Sequence, residues 1–115
     1  MGTRLYAALC DCNGNQGAVD VFQIDSATGS LTRIAGAPFR FADLNGFPRL
    51  ATHPSGRWLA VSAVLPPRVE LYAIGADGSL ASAGQAPLHA GDTGPLRLAW
   101  TPDGRWLYVA DDSTT

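Results

Sequence analysis

Two nine-residue stretches, HPSGRWLAV at 53–61 and TPDGRWLYV at 101–109, share six of nine residues and lie 48 positions apart. They belong to a longer repeat. AVDVFQIDSATGSL (18–31) aligns with RVELYAIGADGSL (68–80), so that Val19 and Val69 are 50 apart and Leu31 and Leu80 are 49 apart. GFPRLATHPSG (46–56) matches GPLRLAWTPDG (94–104), and the opening TRLYAALCDC fits the RWLAVSAVLP and RWLYVADDST stretches. A period near 49 restricts the chain to arrays, solenoids or rings of like units, because one such unit cannot bury its own apolar surface.

Each unit reads as strands. Pro54-Ser55-Gly56 and Pro102-Asp103-Gly104 are hairpin turns, with proline presetting φ and glycine free to take positive φ. The segments Trp58–Val64 and Trp106–Ala110 are apolar at successive positions, as expected of strands covered on both faces, which predicts buried Trp58 and Trp106. Val19–Ile24 and Val69–Ile74 are rich in β-branched and aromatic residues and end in Ala-Thr-Gly and Ala-Asp-Gly turns. Leu31–Ile34 and Leu80–Ala83 are short and weak, like outer edge strands. Innermost strands are expected near Arg49–His53 and Arg97–Thr101, and Leu5–Leu9 is an extra second strand. No helix is expected.

Four short strands per repeat make an all-β chain, a segment of a β-propeller with two four-stranded blade repeats plus an extra strand. The repeat units run approximately 3–56 and 57–104, and residues 105–115 begin the next. Rings of this kind close with about four to eight blades. Two repeats are too few, so the chain is expected to be part of a longer protein, exposing faces and edges that take further blades or self-associate.

Bulk properties narrow the partners. Of 115 residues, 46% are hydrophobic and 16% charged, which fits a packed core. The net charge is −2 and no segment concentrates basic residues, so no nucleic acid partner is expected. All eight basic residues are arginine, which excludes Schiff-base chemistry, and Glu70 is the single glutamate. No apolar run reaches eighteen residues, so no membrane span is expected, and the cytoplasm is the default location. Cys10 and Cys12 share a strand face at i, i+2 but lack the further ligands of a zinc site, and they read as reduced thiols. Asp11, Asn13 and Asn15 imitate the start of a calcium loop, yet Gln16 and Phe22 occupy the positions needing glycine and glutamate. No metal site is expected.

The stretches VDVFQIDSATGSLTRIAGAPF, PRLATHPSGRWLAVSA, VELYAIGADGSL and LRLAWTPDGRWLYVADD resemble the 6-phosphogluconolactonase-type, or lactonase-family, seven-bladed β-propellers. The resemblance covers nearly the whole chain and matches roughly the first third of such a protein. Surface-layer propellers with Tyr-Val-Thr-Asn repeats share much of the pattern. The lactonase resemblance implies hydrolysis of a sugar-acid lactone, such as 6-phosphogluconolactone, without metal or organic cofactor. Related enzymes of this fold use histidine, arginine and glutamate at one mouth of the channel. Here Pro48 and Leu96 stand where a histidine would precede the innermost strand, and Ser62, Ala63 and Val64 replace an asparagine-glutamate pair. No catalytic residue is carried over.

The strongest positional signal is a pair of arginines. Arg49 and Arg97 each stand five residues before a turn proline, which places both at the channel end of an innermost strand. Their forked donors suit a carboxylate or phosphate, making them candidate substrate-binding residues; alternatively they cap strand ends or pair with acids such as Asp92. His53 falls at the opposite end of the strand and reads as structural. His89 lies in a loop with Asp92, and Asp111 and Asp112 end a second strand near a mouth. Two other functions compete with lactone hydrolysis: a non-catalytic surface-layer or scaffold propeller, and a lectin-like ring displaying tryptophans. Buried Trp58 and Trp106 would disfavour the last.

Overall fold

A computed structural model of the chain describes residues 4–11, 16–41, 48–63, 68–87 and 97–110. Ten strands follow in order: β1 (Arg4–Asp11), β2 (Gln16–Ile24), β3 (Leu31–Arg33), β4 (Phe39–Phe41), β5 (Leu50–Thr52), β6 (Trp58–Ala63), β7 (Arg68–Ile74), β8 (Leu80–Pro87), β9 (Arg97–Trp100) and β10 (Leu107–Ala110). They form three antiparallel sheets. The second is a complete four-stranded unit of order β5-β6-β7-β8. The first runs β1-β2-β3, with β4 also paired to β2, and the third contains β9 and β10. The described residues contain no helix.

Register fixes the correspondence between sheets. Leu5 pairs with Phe22 as Leu59 pairs with Tyr72, so β1 holds the place of β6, and Leu5, Leu59 and Leu107 are equivalent. Tyr6 therefore corresponds to Tyr108. The first sheet thus supplies second, third and outer strands, and the third sheet supplies an innermost and a second strand. The innermost strand closes each sequence unit yet pairs in the sheet that follows, so sequence unit and sheet are out of phase by one strand.

The outer strand is where the sheets differ most. β8 is continuous apart from a register shift opposite Leu71 and Tyr72. In the first sheet the same place is interrupted outright: β3 pairs with Phe22–Ile24, β4 pairs with Gly17–Val19, and residues 34–38 bulge between them. β4 has no counterpart among the expected strands, because Gly36 and Pro38 break the apolar run around it.

The core lies between the first and second sheets. Val19 and Val21 from β2 meet Leu59, Val61 and Tyr72 from β6 and β7, all essentially excluded from solvent. Alternation along a strand puts these residues on one face of each sheet. Full burial of each is worth roughly 1.5–3 kcal/mol relative to exposure. Tyr6, Phe39, Leu50 and Ile74 pack around them.

In β6 the apolar reading of both faces holds, since Leu59, Ala60, Val61 and Ser62 are all buried. The expected burial of the tryptophans does not hold. Trp58 is 41% and Trp106 66% exposed. Trp58 begins β6 and Trp106 immediately precedes β10, both at the sheet margin. Trp58 is only partly covered there, and no described residue covers Trp106. Their exposure removes the objection to a sugar-stacking surface but adds no site for one.

Candidate functional site

The four hairpin turns of the described residues, at 25–30, 53–57, 75–79 and 101–106, lie at one rim. The starts of β5, β7 and β9 lie at the other, with the ends of β1, β6 and β10. Arg49 and Arg97 both stand at this second rim, as their spacing requires. The residues Cys12, Asn13, Asn15, Val64, His89, Asp92, Asp111 and Asp112 lie outside the described residues, and Cys10 falls within β1.

A cleft of about 440 Å³ brings the two arginines together. Its walls are Tyr6 and Ala8 from β1, Pro48, Arg49 and Leu50 at the start of β5, and Arg97 and Leu98 of β9. Pro48 is buried, and both arginines are exposed. The Arg49 backbone is held twice by Ser62: its N–H donates to Ser62 Oγ at 3.0 Å, and its carbonyl accepts the Ser62 N–H at 2.9 Å. Arg97 pairs with Ala110, which has no hydroxyl to repeat the first of these bonds. The ion pairs found among the described residues are Arg33–Asp20 and Arg68–Glu70, leaving Arg49 and Arg97 without a described carboxylate partner. Two exposed guanidinium groups at one cleft can hold an anion.

Tyr6 was not foreshadowed by the turn-proline spacing that marks the arginines. The recurrence of Leu-Tyr at 5–6 and 107–108 is the signal that could have found it. Burial pushes its phenol above the ordinary tyrosine range, an effect opposed by the charge of Arg4 and its hydrogen bond. The hydroxyl is therefore neutral at physiological pH.

Among the described residues, the cleft walls include no histidine and no carboxylate. Glu70 is instead held between the first two sheets, where Arg68 Nε donates to Oε1 at 2.8 Å and the Tyr72 hydroxyl donates to Oε2. His53, at the turn rim, joins neighbouring sheets: its Nδ1 accepts the Ser55 N–H at 3.0 Å, so Nε2 carries the proton and donates to the Gly104 carbonyl at 2.9 Å. Its ring meets Trp100 edge-on, with centroids 4.7 Å apart, and Trp100 Nε1 donates to the Ala51 carbonyl at 3.1 Å. Among the described residues no group of three histidine, cysteine or acidic side chains is placed to hold a metal ion.

Blade-like sheets set side by side, in register with a 49-residue repeat, define a β-propeller segment. The chain belongs to the lactonase family of seven-bladed β-propellers, whose family model matches residues 5–115. Among solved structures it is similar to a candidate 6-phosphogluconolactonase from Bacteroides fragilis NCTC 9343, with a TM-score of 0.63 and 18% sequence identity. That likeness covers 91% of this chain and 31% of the other, so the chain spans about a third of the length of that protein. No curated protein sequence matches the chain.

Proposed function

We propose that the chain forms part of a propeller that hydrolyses a sugar-acid lactone, and that Arg49 and Arg97 hold the anionic group of its substrate. The observation that carries this reading is the convergence of two arginines, 48 residues apart and equivalent by repeat, on one cleft. A phosphorylated lactone such as 6-phosphogluconolactone suits it, because its phosphate matches the guanidinium forks and its ring carbons match Leu50 and Leu98. The arginines would neutralise both the charge developing at the carbonyl and the product carboxylate. The described cleft residues assign no base to direct water.

Titration of the chain with 6-phosphogluconate, the ring-opened product, tests the binding step. Arg49→Ala and Arg97→Ala should each weaken it about tenfold or more, since a charge-assisted hydrogen bond contributes roughly 1.5–3 kcal/mol. Equal affinity for the wild type and both variants would remove the arginines from the site.

A second reading rests on the two guanidinium forks alone, without any catalytic group carried over: a propeller that binds an anion without turning it over. The two separate on δ-lactone hydrolysis, assayed in the longest natural form of the protein. Product binding without hydrolysis selects the second.

A further inference from the structure

The two cleft arginines are equivalent by repeat but are not held alike. Arg97 opens β9 and is paired in the ladder with Ala110. Arg49 stands one residue ahead of β5, which begins at Leu50, although Ser62 faces it in register as Ala110 faces Arg97. In an antiparallel ladder, a hydrogen-bonded pair exchanges two main-chain bonds. The first is present at Arg49, whose carbonyl accepts the Ser62 N–H at 2.9 Å. For the second, the Arg49 N–H turns to the Ser62 side chain and donates to Oγ at 3.0 Å. A hydroxyl has thus taken the place of a main-chain carbonyl at the last rung before the cleft.

The surroundings make that rung firm. Ser62 is 1% exposed and lies on β6 between β5 and β7, where it pairs with Val69. A hydrogen bond removed from water is stronger than one that solvent can replace. Ahead of Arg49, Pro48 is buried, and its ring fixes φ there. The Arg49 main chain is therefore held from both directions, while its guanidinium stays exposed. Ala110 is exposed and offers Arg97 no hydroxyl.

We propose that Ser62 is a positioning residue for anion binding: it fixes the main chain at Arg49, so that this guanidinium meets the ligand already oriented. Arg97 closes on the same ligand from a looser base. The proposal rests on the reading of Arg49 and Arg97 as anion-binding residues. Immobilising a rotamer-rich side chain costs affinity, and a base fixed beforehand removes part of that cost. Two arginines that the repeat makes alike thus take different parts, one orienting and one adapting, through a single hydroxyl.

Inorganic phosphate and 6-phosphogluconate, titrated against the chain, are the probes. Ser62→Ala should weaken both about three- to tenfold, as the loss of one hydrogen bond does. In an Arg49→Ala background the same substitution should change affinity less than about twofold, whereas in an Arg97→Ala background the full loss should persist. A merely structural role would weaken binding equally in all three backgrounds. That outcome overturns the proposal, as does unchanged affinity in Ser62→Ala. A second measurement needs no substitution at Ser62. NMR relaxation of the arginine Nε–H groups should show Arg49 more ordered than Arg97 in the free chain, and equal order, or greater order at Arg97, overturns the proposal. Loss of binding in both arginine variants beside normal binding by Ser62→Ala removes Ser62 alone. Unchanged binding in both arginine variants removes the arginines from the site, and the role of Ser62 falls with them.

Discussion

His53 Nε2 would lie 2.5 Å from a Cβ placed on Gly104, the residue whose carbonyl it holds. The second and third sheets therefore meet at a point where only a glycine fits. Gly56, its counterpart one repeat earlier, has nothing within 4 Å of such a Cβ, although both glycines have nearly the same positive φ, 76° and 73°. Gly56→Ala should cost about 1 kcal/mol, the conformational penalty alone. Gly104→Ala should cost about 2 kcal/mol or more, because the imidazole must also give up its hydrogen bond. Urea unfolding of the two variants separates close approach from backbone conformation, and equal losses would show that His53 yields freely.

A similar comparison tests the face of the third sheet. Tyr6 packs on the core between the first two sheets, whereas its counterpart Tyr108 is 66% exposed. Tyr6→Ala should destabilise the chain by about 2 kcal/mol, less than a fully buried aromatic would because the ring is partly exposed. Tyr108→Ala should change stability by less than about 0.5 kcal/mol. A large effect at Tyr108 would mean that its face is covered in solution.

Asp20 is 3% exposed on the outward face of the first sheet, where Arg33 closes over it. Arg33 Nε donates to both carboxylate oxygens, at 3.0 and 3.1 Å, and Nη2 donates to Oδ2 at 2.7 Å. The guanidinium also lies 5.6 Å from the Phe22 ring centre. Arg33→Ala should cost about 1–2 kcal/mol, moderated because the arginine itself is half exposed. Asp20→Asn should cost less than Arg33→Ala, since no buried charge is left unpaired; the reverse order in chemical denaturation would contradict this account.

Two turn carboxylates add to the acid sensitivity of the chain. Asp103 accepts the Thr101 hydroxyl at 2.6 Å and the Arg105 N–H at 3.1 Å, and Asp77 accepts the Ser79 hydroxyl at 2.6 Å and N–H at 3.0 Å. These hydrogen bonds, the hydroxyl one foremost, hold both groups below the ordinary value of 3.8. A depressed folded-state pKa stabilises the chain above that value, and the contribution disappears as pH falls through the folded-state pKa. Thermal stability should drop below about pH 4 in the wild type and less steeply in the Asp77→Asn, Asp103→Asn double variant. Identical profiles would show that other acids govern the transition.

Repeat and turn chemistry made most of the strands legible, because the 49-residue recurrence of Pro-Xaa-Gly and Val-Xaa-Xaa-aromatic segments marks both boundaries and order. It also placed Arg49 and Arg97 at one rim. What it could not see depends on neighbours. Trp106 carries the same local sequence as a covered strand, but cover is supplied by whatever packs beyond it. β4 was hidden because Gly36 and Pro38 split a strand whose pairing is decided by Gly17–Val19, far away in sequence. Tyr6 joined the site only when β1 was brought beside β5.

The one-strand offset between sequence unit and sheet has a consequence for how such a chain can change length. Excising residues 57–104 would remove β6, β7, β8 and β9, taking strands from two different sheets and leaving β5 beside β10. Since β10 is the counterpart of β6, the orphaned innermost strand would find the same kind of partner it lost, and the splice would heal across the joint. Gain or loss of whole periods thus restores strand pairing at any cut point in the cycle, while a cut that breaks the period would strand an unpaired edge.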